Sequence, residues 1–237
     1  MQRHAVIFDL RGTLLVEPPP QFTLNATVLQ AKSLHVDPIR FASCWFDHAH
    51  QTPKHIELPW IESNLQAVCD DLGVKLDPLL RRRLAEQRER VIRKSLQVRR
   101  GAVRALTRLR AAGLRTAVVG DVPPDVRIML QQTDLAKHLD LELLSTSGTC
   151  KHDDPRVFRR ALHELGLPGE SCLYVSGGGL DELDAADYLG MQPVAFRPVD
   201  DEDAEALLPA SFGGYPVVGT MIEVYWMATE ANAEAAV

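Results

Sequence analysis

Long apolar runs, paired cysteines and an excess of positive charge are all missing from this chain. A membrane-spanning helix needs roughly 20 consecutive apolar residues. No stretch comes near that length, and no charged-then-apolar leader opens the sequence. The expectation is a soluble, cytoplasmic protein with no membrane association. Cys44, Cys69, Cys150 and Cys172 make neither a C-x-x-C pair nor a ligand-like spacing with the histidines. They read as reduced, mostly buried thiols, which argues against a disulfide scaffold or a cysteine-based metal centre. The net charge of -6 gives no hint of overall affinity for nucleic acid, and no nucleic-acid partner is expected. Charge is nevertheless uneven, because half of all Lys and Arg fall between Arg81 and Arg115, opposed only by Glu86 and Glu89. A solvated helix face explains such a run more simply than an anion-binding or nucleic-acid surface.

What is present is the composition of an ordinary globular protein, 46% hydrophobic and 24% charged. Its 237 residues suffice for one large domain or for a core domain with an insertion. The other elements arrange themselves around His4 to Leu14, HAVIFDLRGTL. The apolar run Ala5 to Phe8 ends abruptly in Asp9 and a glycine turn, as suits a strand buried on both faces of a parallel sheet. Asp9 then stands at the carboxyl end of that strand, where open α/β sheets place their chemistry.

After Leu15 the proline run in VEPPP marks a linker. From Gln21 to Val98 the pattern is helical, with no strand signal. Asp37 and Pro38 begin one helix, a second runs from Leu58 to Leu72 before Gly73, and Asp77 and Pro78 begin a third with an arginine-rich face. Alternation resumes at Gly101. A helix closed by Gly113 leads to a strand from Thr116 to Val119 that ends at Gly120 and Asp121. Helix and strand pairs follow at 123–132 and 141–145, 155–165 and 171–176, and 181–189 and 192–196. A last strand near Pro216 to Val218 precedes a helix from Thr220. Asp200 to Glu205 reads as an acidic surface stretch, and the tail after Met227 is expected to fray. Strands alternating with helices argue a parallel sheet covered on both faces and joined by right-handed crossovers.

His4 to Leu14 resembles the first motif of the haloacid dehalogenase-like (HAD) superfamily, a hydrophobic strand followed by D-x-D-x-T. Asp9 falls on the nucleophile and Thr13 on the terminal threonine, while Arg11 stands where the family's phosphatases carry a second aspartate. The resemblance extends over nearly the whole chain. It implies a Rossmann-like α/β core with a parallel sheet from 1–16 and 99–237, and an inserted all-helical cap from 17–98. Where the family's second motif offers a serine or threonine to a phosphoryl oxygen, this chain has Gly120, followed by Asp121. The third motif, TCKHDDPRVF, puts His152 on the family lysine's position with Lys151 one residue earlier. The fourth, LYVSGGGLDELDAA, puts Ser176 and Gly177 in place of the glycine and the metal-binding aspartate, and leaves Asp181 and Glu182 as second carboxylates. The three glycines that begin with Gly177 and Gly178 read as a tight turn in preference to an anion-binding nest of backbone N–H groups.

In that family magnesium is held by the nucleophile, a backbone carbonyl two residues later and the fourth-motif aspartate. The resemblance therefore implies no cofactor here, with magnesium at most weakly held and no metal ligand set retained. Arg11 is protonated at any physiological pH and offers no acceptor, so it can pair with Asp9 but cannot relay a proton. The expected function is a weak or inactive phosphatase-like protein that binds a small anionic molecule. A second reading is a metal-independent 2-haloacid dehalogenase using Asp9, because Val175, Ser176 and Asp181 are similar to that enzyme's fourth motif. Arginine at 11, glycine at 120, aspartate at 121 and glycine at 178 depart from it. A third is a non-catalytic interaction protein, homodimeric or bound to a protein partner through the cap. The cap carries Trp45, Phe46 and Trp60, expected as core, and His48, His50 and His55, which lack a helical i, i+4 pair facing a carboxylate.

Overall fold

The structure, a computed structural model, describes residues 2–16, 21–50, 60–145, 154–199 and 211–234. Its first strand, β1 (Ala5–Asp9), is buried along its whole length. The reason is its central place in the sheet: it pairs in parallel with β2 (Arg115–Asp121) on one side and with β4 (Cys172–Ser176) on the other. β3 (Leu141–Ser145) extends the sheet beyond β2, and β5 (Gln192–Phe196) and β7 (Tyr215–Val218) extend it beyond β4, all in parallel. β6 (Ser211–Phe212) closes the far edge antiparallel to β7. Among the described residues the order is therefore β3-β2-β1-β4-β5-β7-β6.

Alternate residues of the central strands feed two separate cores, as the two-residue period of a strand requires. Val6, Phe8, Leu173 and Val175 pack under α5 (Ala102–Ala111) and α9 (Met221–Glu234). Ala5, Ile7, Cys172 and Tyr174 pack under α7 (Pro155–Leu165) and α8 (Leu180–Asp187). This is the parallel sheet, covered on both faces, that the strand and helix alternation predicts.

Two details differ from the sequence reading. β2 runs on through Gly120 and Asp121, because β3 supplies backbone partners at Leu144 and Ser145 that a single-strand reading cannot see. The hairpin of β6 and β7 is an addition. It turns at Gly213 and Gly214, both at positive φ, the condition that a tight two-residue turn between twisted strands imposes.

Between β1 and α5 the chain forms α1 (Gln21–Ser33), α2 (Pro38–His50), α3 (Trp60–Asp71) and α4 (Pro78–Ser95). Their boundaries follow local chemistry. Asp77 caps α4 by accepting from the Leu79 amide at 2.7 Å, and Asp37 accepts from the Arg40 amide at 2.9 Å at the start of α2. Gly73, left-handed at φ +68, follows α3. These helices share a third core in which Trp45 meets Trp60 edge-on at 5.8 Å and Phe41 stacks on Trp45. Trp45 and Trp60 are thus interior, as their spacing predicts, while Phe46 is exposed. His48 pairs with Asp71 at 2.8 Å, and His55 lies outside the described residues, as do Cys150 and the acidic stretch from Asp200. Among the described residues no helix is long and apolar enough to cross a membrane.

The helical block is tied to the sheet by a buried ion pair. Arg88 on α4 donates to Asp125 on α6 (Pro124–Leu130) at 2.7 Å, with side chains only 5% and 2% exposed. The same guanidinium reaches Thr27 and Gln30 on α1 and lies over the Trp45 ring at 3.8 Å. An isolated buried charge is costly, so removing one partner costs far more than removing both. Arg88→Met is expected to lower the free energy of unfolding by about 3–5 kcal/mol. Adding Asp125→Leu to that variant should restore part of the loss, as read from urea denaturation midpoints.

Candidate active site

Three strand ends converge at the carboxyl edge of the sheet, those of β1, β2 and β4. Asp9 ends β1 and is 4% exposed, opposite Val119 in the β2 register. Thr13, fully buried, donates from Oγ1 to Asp9 Oδ2 at 3.2 Å. The same Thr13 hydroxyl accepts from the Gly177 amide at 2.7 Å. A relay of donors thus runs from the end of β4, through Thr13, to the carboxylate. Behind the loop, the buried Arg99 donates from Nε to the Thr13 carbonyl at 2.7 Å and from Nη2 to the Gly12 carbonyl at 3.1 Å. Arg11 is partly buried on the same loop, where its backbone bridges to Leu15.

The glycines of the site are explained by what surrounds them. A Cβ at Gly177 would lie 2.6 Å from the Gly12 carbonyl oxygen and 2.9 Å from its carbon, so any side chain there would push the two loops apart. A Cβ at Gly178 would run into the Glu182 carboxylate. The Gly177 amide is committed to Thr13, and the Gly178 amide is committed to Ser176 Oγ at 2.8 Å. Neither is left to cradle an anion, which favours the tight turn over the nest. At Gly120 a Cβ would meet Asp9 Oδ1 at 3.5 Å, an ordinary contact. The position touches Asp9 yet offers it no side-chain donor. Asp121, partly buried, follows at the end of β2.

Beneath the turn lies a network that the sequence reading named only in part. Ser176, wholly buried, donates to Glu182 Oε2 at 2.6 Å, and the Tyr174 hydroxyl donates to the same oxygen at 3.3 Å. Burial holds the Tyr174 phenol well above its usual range, and the negative charges of Asp9 and Glu182 add to the effect, so it stays neutral. Arg197 donates to the carbonyls of Gly177 and Gly178 at 3.0 and 3.1 Å and lies 4.1 Å over the Phe212 ring. Desolvation lowers the pKa of its guanidinium, while Glu182 raises it.

Of the two fourth-motif carboxylates, Glu182 is turned inward and Asp181 faces outward on α8. The helical period carries that distinction, since Glu182 lies four residues before the buried Ala186. Arg99 and Arg197 had no comparable signal, because their partners are carbonyls distant in sequence. Lys151 and His152 lie outside the described residues. Among the described residues, no group of three or more His, Cys, Asp or Glu is placed to hold a metal ion.

Comparison with known proteins agrees with this geometry. The sequence model of haloacid dehalogenase-like hydrolases matches residues 4–188. The mouse (Mus musculus) protein named haloacid dehalogenase-like hydrolase domain-containing protein 3 is 30% identical over 122 residues, a stretch covering 48% of this chain and 49% of that protein's length. The crystal structure of a HAD phosphatase from Thermococcus onnurineus is similar with a TM-score of 0.60 at 19% identity, over 94% of this chain and 97% of that one. A dehalogenase crystallised with an intermediate is similar with a TM-score of 0.55 at 18% identity, over 95% of this chain and 96% of that one. At these identities the two structures establish the shared fold.

The relay through Thr13 gives a direct test. Thr13→Val removes both the donor to Asp9 and the acceptor for the Gly177 amide, and should cost about 1–3 kcal/mol of stability by leaving polar groups unmatched. Thr13→Ser keeps the hydroxyl and should recover most of that loss in the same denaturation measurement.

Proposed function

The chain belongs to the haloacid dehalogenase-like hydrolase family, and from that premise we propose that it keeps the family's nucleophile position at Asp9 in a site that binds a small anion but turns it over poorly. The observation that carries this reading is the contact between Gly177 and the Gly12 carbonyl. In the family that position supplies a carboxylate to magnesium. Here a Cβ would come within 2.6 Å of the Gly12 carbonyl oxygen, so the loops as they stand leave no room for such a side chain. Magnesium asks for oxygen ligands in near-octahedral array and leans on one or two carboxylates. The described residues do not fit it.

The proton chemistry is equally restricted. Attack by an Asp9 oxygen on phosphorus expels an alkoxide that needs a proton, and hydrolysis of the resulting aspartyl-phosphate needs a base to take a proton from water. Arg11 occupies the position from which the family's second aspartate does both. A guanidinium offers charge and N–H donors to an anion but accepts no proton. Binding of an anion beside Asp9 therefore survives while turnover fails. In this reading the helical block over α6 is the cap, residues 17–98, inserted in a core of 1–16 and 99–237.

A second reading, metal-free dehalogenation, draws on Val175 and Ser176 at the end of β4 and on the chemistry of the leaving group. Halide departs without a proton, so displacement by an Asp9 oxygen tolerates the loss of an acid. The glycines at 120 and 178 and the aspartate at 121 weigh against it.

Hydrolysis of p-nitrophenyl phosphate is expected to run roughly 10²–10⁴-fold below ordinary phosphatase rates, the usual contribution of an acid–base group. It should be indifferent to added magnesium or EDTA. Magnesium-dependent turnover at ordinary rates that Asp9→Asn abolishes would overturn the proposal. Chloride release from 2-chloropropionate, lost in Asp9→Asn, would establish the dehalogenase reading in its place.

A further inference from the structure

The geometry points to a second anion site, separate from Asp9, in a cavity of about 480 Å³ between α5 and the start of α9. Its walls include Arg99, Arg100, Arg104 and Arg108, with the partly exposed Ile222 supplying apolar surface. Among the described residues no carboxylate lines it. The volume lies in the range of sites for small molecules.

The concave space sets this place apart from the rest of the basic stretch, where Arg83, Arg90 and Arg93 also lack a carboxylate partner among the described residues. Arg81 pairs with Glu62, Arg82 with Glu86, Arg88 with Asp125 and Arg110 with Asp140. Among the described residues Arg100, Arg104 and Arg108 have no carboxylate partner, and Arg108 instead lies 5.8 Å over the Tyr225 ring. Arg104 and Arg108 are spaced i, i+4 on one face of α5, where like charges repel, and Arg100 stands just before the helix, ahead of its Gly101 cap. Arg100 and Arg104 also stand at the positive end of the helix, whose first turn carries no acidic residue. The nearby Glu223 is committed to the amides of Gly219 and Thr220, at 2.8 Å each. Repulsion of this kind, left uncompensated within the described protein around a concave space, is relieved by an anion bound from outside.

Arg99 is a wall of the cavity and is already engaged with the loop carbonyls, so Arg100, Arg104 and Arg108 are the grip. Three guanidiniums beside the partly exposed Ile222 suit a small organic anion with at least two negative charges and an apolar part, a phosphorylated compound of nucleotide size. A cavity bounded on both sides by helices fits a small molecule better than a polymer.

The test is calorimetric titration of the full chain with ADP, pyrophosphate and adenosine. ADP is expected to bind saturably and more tightly than pyrophosphate, to weaken as salt rises, and to leave adenosine unbound. Arg104→Gln, a change at an exposed side chain, should weaken ADP roughly tenfold or more, as loss of a charged hydrogen bond does. Arg82→Gln, an equal change of charge elsewhere, and Asp9→Asn should leave ADP binding intact, with circular dichroism confirming the fold of each variant. Absence of saturable binding by both ADP and pyrophosphate, or equal loss in Arg82→Gln, overturns the site. Loss in Asp9→Asn overturns its separateness, and pyrophosphate binding as tightly as ADP overturns the assignment to an organic ligand. Because Asp9→Asn also silences any residual hydrolysis, this result stands or falls apart from the proposed activity.

Discussion

The hydrogen-bond relay from the Gly177 amide to the Thr13 hydroxyl, and from there to Asp9, is the interaction on which the site depends. It joins the loops after β1 and β4, two strands adjacent in the sheet but more than 160 residues apart in the chain. For the amide to reach the hydroxyl, the β4 turn must lie against the Gly12 carbonyl, and that closeness is what makes glycine obligatory at 177. One contact therefore both orients the Asp9 carboxylate and leaves no room for a side chain at 177.

Three arginines hold the surroundings in place, each with different partners. Arg99 and Arg197 satisfy backbone carbonyls at the ends of loops, at positions 12 and 13 and at 177 and 178. Each is thus a brace for one side of the relay. Arg88 does comparable work farther out, bonding to Asp125 and to side chains of α1, so that the helical block and α6 share one buried charge. The planar fork of a guanidinium suits this task, since it bonds two acceptors at once and is more weakly hydrated than an ammonium. The basic stretch that looks uniform in the sequence thus has several fates: buried braces, surface ion pairs, and the unpaired row on α5.

Much of the architecture was legible before any coordinates. The apolar run before Asp9, the alternation after Gly101, the proline starts after Asp37, Asp77 and Asp154, and the glycine after α3 are local signals, and the corresponding elements formed where they indicated. Asp9 and Thr13 were placed together by resemblance to the family's first motif, and their side chains hydrogen-bond at 3.2 Å. Motif grounds left open which of Asp181 and Glu182 faces inward, and helix phase turns Glu182 to the interior. The roles of Arg99 and Arg197 were invisible, since nothing in their neighbourhoods announces a carbonyl partner 86 or 20 residues away.

Periodicity, caps and turn residues are properties of neighbours along the chain, so they carry into the fold the order of strands and helices and the position of a carboxylate at a strand's end. Close approaches are properties of neighbours in space. Whether Gly177 was a vacancy or a necessity depended on a carbonyl 165 positions earlier, and which arginines were paired depended on how the helices came to lie. Contacts of that kind leave no period in a linear text, because the energy that selects them exists only once the sheet has assembled and the loops have met.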